Sequence, residues 1–144
     1  MKTKWLLLVV VLTGTITFWG CGGSNPSGLL PGTELEGTWR YSDTDYRLTF
    51  TFSDSNWTVL EEYLSAPETT FTWDGTFTLN TTVSPKHIDL LCASSPYSGD
   101  IGLTALGIYA LNSTATACTL ANNDFGDTVR PVSFGTYPLI VDKQ

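Results

Sequence analysis

The chain has 144 residues, is 42% hydrophobic and carries a formal net charge of −7, a length that suits one domain. Its acidic balance repels phosphate backbones and anionic lipid surfaces, which excludes nucleic-acid binding. One histidine excludes a His-rich metal site.

In chain order, the first segment is the most specific. Met1-Lys2-Thr3-Lys4 carries two positive charges and no acid, Trp5 to Phe18 is apolar or Thr/Gly throughout, and Gly20-Cys21 closes the run. A charged start, a short apolar stretch and a small residue before a cleavage point define a secretory signal. Fewer than ~18 uninterrupted apolar residues make too short a helix to span a membrane. The following Gly/Ser/Pro-rich residues have linker composition. The expected organisation is a signal helix over 1–20, a flexible tether over 21–33 and a folded domain over 34–144. Cleavage removes Lys2 and Lys4 and leaves five basic residues against fourteen acids, a net charge of −9.

The signal resembles that of bacterial lipoproteins, which implies acylation of Cys21 and a membrane anchor. Phe18 and Trp19 stand where the usual lipobox has Leu and a small residue. Gly22 beside the cysteine implies the outer membrane. The alternative is ordinary secretion to the periplasm or beyond, with Cys21 as a free or paired thiol.

Beyond the tether, short strand patterns alternate with turn signals. Leu35 to Ser42 is the first strand. Tyr46, Leu48, Phe50 and Phe52 then alternate with polar neighbours at a period of two. Ser53 to Asn56 turns, and Trp57 to Tyr63 returns, placing Glu61 and Glu62 on opposite faces, where they cannot act as a carboxylate pair. Phe71 to Leu79 follows, bent or split at Asp74-Gly75. Lys86 to Ala93 sets Ile88, Leu90 and Cys92 against His87, Asp89 and Leu91. Ser94 to Gly102 is a polar loop, and Leu103 to Leu111 and Thr114 to Ala121 form a hairpin. Val129 to Phe134 is the last strand, with Tyr137 to Val141 as a further candidate. These patterns predict an all-β antiparallel, up-and-down meander of about eight strands closed as a barrel; a two-sheet sandwich is the alternative.

Three cysteines occur. With Cys21 acylated, Cys92 and Cys118 remain in an oxidising compartment, where a bridge closing about 26 residues would stabilise by ~3 kcal/mol. Next-nearest strands lie ~10 Å apart, beyond the ~7 Å reach of a disulfide. Two readings therefore stand: a disulfide at a strand end, or two small buried apolar residues.

Leu35-Glu36-Gly37-Thr38-Trp39 resembles the Gly-x-Trp opening of lipocalin-type barrels. Together with Pro85-Lys86-His87-Ile88-Asp89, Gly107-Ile108-Tyr109 and Arg130-Pro131-Val132-Ser133-Phe134, it resembles a family of small bacterial domains with a lipocalin-like barrel, first catalogued in planctomycetes. The resemblance implies no established activity. It implies a structural pair: Trp39 closing one barrel end, with Arg130 from the last strand packed over it by a cation–π contact.

Catalytic signatures are missing. His87 beside Asp89 reads as a surface pair. No Gly-x-Ser-x-Gly elbow, His-Glu-x-x-His or phosphate loop occurs. Asp43-Thr44-Asp45 and Asn122 to Asp127 carry oxygen ligands but read as turn formers. No catalysis, metal or cofactor is expected. The expected function is that of a lipid-anchored envelope lipoprotein, held to the membrane through its N-terminal lipid, whose barrel binds a small apolar ligand. The alternative is a structural or protein-interaction module of the envelope. An eight-stranded barrel holds its own side chains or one small ligand, so the balance depends on how many aromatics point inward.

Overall fold

The period-two segments form strands because Thr, Val, Phe, Tyr and Trp suit a pleated surface with one face buried. The computed structural model describes residues 29–30, 34–65, 69–136 and 138–144. Its strands are β1 (Leu29–Leu30), β2 (Gly37–Ser42), β3 (Tyr46–Ser53), β4 (Asn56–Tyr63), β5 (Thr70–Asn80), β6 (Lys86–Ser94), β7 (Thr104–Leu111), β8 (Ala117–Asn122) and β9 (Leu139–Lys143). Every strand from β2 to β8 pairs antiparallel with the next, and β9 pairs back to β2. The result is a closed eight-stranded up-and-down barrel, which rules out the sandwich. No helix occurs among the described residues.

The segment 129–134, expected as the last strand, is irregular; β9 closes the ring instead. Pro131 lacks a ladder donor, and Val129 and Val132 are 70% and 89% exposed, so neither alternates into a core. In β9, Leu139 and Val141 turn inward against exposed Ile140 and Asp142. Within the segment read as the tether, Leu29 and Leu30 pair with Asn80 and Leu79 of β5. The expected signal helix and Cys21 lie outside the described residues.

The ring is fastened unevenly. β3 and β4 share eight residue pairs, whereas β2 and β9 share two, Trp39↔Lys143 and Arg40↔Asp142. Beyond Arg40 these strands part, and a cleft of about 480 Å³ sits in the gap, lined by Tyr41, Tyr46, Pro138 and Ile140 among others.

One end of the barrel is solid. Trp39, Phe52, Phe77, Leu79, Ile88 and Tyr109 are all at most 2% exposed, each contributing about 1.5–3 kcal/mol of burial. The Trp39 Nε1–H donates to Leu35 O at 2.6 Å. Glu34 accepts two hydrogen bonds from Lys86 Nζ, at 2.7 and 2.9 Å, and one from the Tyr109 hydroxyl. Burial and then Glu34 push the Tyr109 hydroxyl pKa far above its usual value. β5 bends where expected: its register with β6 shifts between Asp74 and Gly75.

Candidate functional site

The opposite end is open. The β2–β3, β4–β5, β6–β7 and β8–β9 connections surround this mouth, and alternation along each strand decides which side chains enter it. β3 contributes Leu48 and Phe50, and β4 contributes Trp57, Val59 and Glu61. Trp73, Leu90 and Leu139 come from β5, β6 and β9. Together with Asn122 and Phe125 they line an open cavity of about 240 Å³. Phe125 reaches it because the chain after β8 continues alongside β7 to the mouth, with Asn123 N–H donating to Leu106 O and Gly126 N–H to Thr104 O, both at 3.1 Å. Its ring stacks on Trp57 at 6.2 Å.

An aromatic rim borders the cavity. Phe71 lies 6.1 Å from Tyr63 and 6.3 Å from both Trp73 and Tyr97, ring centre to ring centre. Tyr97 belongs to the β6–β7 loop and also meets Trp73 at 6.2 Å. Glu61 sits within this rim as the cross-strand partner of Phe71 and Leu48. Its carboxylate raises the pKa of the neighbouring Tyr63 hydroxyl, by hydrogen bonding and then by charge. Glu62, on the other face, pairs with Arg47 at 3.5 Å. The opposite facing of the two glutamates was legible in the sequence, but the position of Glu61 at a cavity edge was not.

No protein-family model, curated protein or solved structure matches the chain. Its site is therefore read from its own geometry.

The expected Trp39–Arg130 pair is corrected. Lys143, at 5.2 Å from the ring centre, sits over Trp39. Arg130 lies instead on the outer wall, where it donates to Ile88 O at 3.1 Å, to Gly107 O and to the Asp89 carboxylate. The reason is that residues 129–134 do not enter the sheet, so Arg130 approaches β6 and β7 from outside. Nearby His87 has its pKa lowered by burial and then by Arg130, against an upward pull from Asp89.

The candidate disulfide is corrected too: Cys92 and Cys118 are buried free thiols. The Cys92 N–H donates to Leu103 O, whereas Cys118 pairs with Leu111. Those partners are eight positions apart along one strand path, roughly 26 Å at ~3.3 Å per residue. The two thiols sit at opposite ends of the barrel, far beyond disulfide reach.

Among the described residues no group of three or more His, Cys, Asp or Glu side chains is placed to hold a metal. The Asp43 carboxylate is occupied in shaping a turn: Oδ1 accepts the amides of Asp45 and Tyr46 at 2.8 and 2.9 Å. Those two hydrogen bonds hold its pKa below the usual value.

Proposed function

We propose that this chain is a lipid-anchored lipoprotein of the bacterial cell envelope, held at the outer membrane through Cys21, whose barrel binds a small apolar molecule without catalysing a reaction. The observation that carries the binding half is the cavity of about 240 Å³ at the mouth, lined mainly by apolar and aromatic side chains. A cavity of about 150 Å³ already admits benzene, and binding sites are concave and mostly apolar with a few placed polar groups. The lipoprotein-like signal supports the address, and the Gly-Thr-Trp opening supports kinship with lipocalin-type barrels.

Native mass spectrometry of gently purified protein tests the binding half. The expected result is a co-purifying small molecule that is released on denaturation. Protein that is consistently empty and also refuses a neutral apolar probe overturns it. Palmitate labelling that disappears in Cys21→Ala is expected for the anchor, and unlabelled wild type overturns that half.

A second reading, an interaction module, draws on the parted strands beyond Arg40 and Asp142. Unpaired strand edges accept a further strand from a partner. Crosslinks from a specific envelope protein to Tyr41 or Ile140 would favour it over ligand carriage.

A further inference from the structure

Among the described residues, Glu61 is the one charged residue in the cavity lining. A carboxylate at an apolar cavity calls for a partner; the Tyr63 hydroxyl hydrogen-bonds it, but among the described residues no Lys or Arg pairs with it. Among the described residues, Arg47, Lys86 and Arg130 pair with Glu62, Glu34 and Asp89. Lys143 lies over Trp39 at the closed end, and Arg40 is exposed on the outer side of β2.

The surroundings of Glu61 suit one kind of ligand. The faces of aromatic rings carry negative potential and attract cations, most strongly when water is excluded. Tyr63, Phe71, Trp73 and Tyr97 form a continuous array with centroid spacings of 6.1 to 6.3 Å. Phe71 lies directly across from Glu61. Below the rim, Phe50, Val59 and Leu90 make the cavity apolar. The acidic chain adds an attractive field for positive ligands.

We infer that the barrel's ligand is a small organic cation, an amine or quaternary ammonium on an apolar body, with its charge held between Glu61 and the rim aromatics. This rests on the ligand-binding barrel proposed above and names its ligand class. The body descends toward Phe50, Leu90 and Phe125 while the ammonium stays at the mouth, where water can complete its solvation.

The test is calorimetric titration of the full chain with two probes of one shape, 1-naphthylmethylamine and 1-naphthylmethanol. The expected result is that the amine binds about tenfold tighter, and that the preference disappears in Glu61→Gln. Equal binding of both probes overturns the cation inference and leaves the apolar-ligand reading intact. Binding of neither overturns both, and an amine preference unchanged in Glu61→Gln overturns the role of Glu61. If Glu61→Gln does not fold, Tyr97→Ala decides. It removes a rim face carried by a loop and leaves every strand residue in place, and it should weaken the amine more than the alcohol; equal weakening of both probes overturns the inference.

Discussion

Gly75 is where the wall tolerates least. A Cβ there would lie 1.8 Å from the carbonyl oxygen of Leu91, and that oxygen also accepts the Trp57 indole N–H at 3.2 Å. Neither backbone nor bulge can yield without displacing a cavity wall. Gly75→Ala should therefore destabilise the protein by about 2–3 kcal/mol, read from urea midpoints at unchanged slope. The sequence marked this residue through the Asp-Gly pair, because the bend is local chemistry. It assigned the wrong cation to Trp39, because whether Arg130 or Lys143 arrives there is decided by the path of distant segments. It also left Tyr97 inside a polar loop, since nothing local ties that residue to Phe71 or Trp73.

At the scale of elements, strands β3 to β6 were readable from alternation because each buries one face. The C-terminal region was readable only in part: Tyr137 to Val141 was a candidate strand, and the strand that forms there is Leu139–Lys143. Val129 and Val132 have strand propensity but stand in solvent, while the shorter Leu139–Lys143 closes the ring. β9 is held by four residue pairs to β8 and two to β2, against eight between β3 and β4. Local opening follows the weakest pairing. In hydrogen–deuterium exchange, a peptide covering 138–144 should lose protection well before one covering 46–63. Equal protection of the two would contradict the weak closure.

At the scale of the molecule, the barrel divides into a packed floor and a hollow mouth. Fold class and strand order were legible, because turn signals recur along an unbroken meander. The cavity was not, since its volume is what remains after three-dimensional packing. The floor also sets the alkaline limit of stability. Burial and then Glu34 push the Cys118 thiol from 9.0 up to about 12, and the Tyr109 hydroxyl is raised in the same direction. Both groups stay protonated in the fold while the unfolded chain releases their protons. Their contribution is complete below pH 9 and is lost as pH climbs toward 12. Urea midpoints should fall across that window, and Cys118→Ala should reduce the slope while Tyr109 maintains part of it.

The two-pair closure between β2 and β9 gives the barrel the mechanics of a split sleeve. Its fastening lies beside the packed floor, at Trp39 and Lys143, so the circumference is fixed at the base and adjustable at the rim. Leu139 borders both the interior cavity and the cleft in the gap, so widening the slit enlarges the chamber without disturbing the floor. Any molecule that such a sleeve took in would be limited by depth more than by girth.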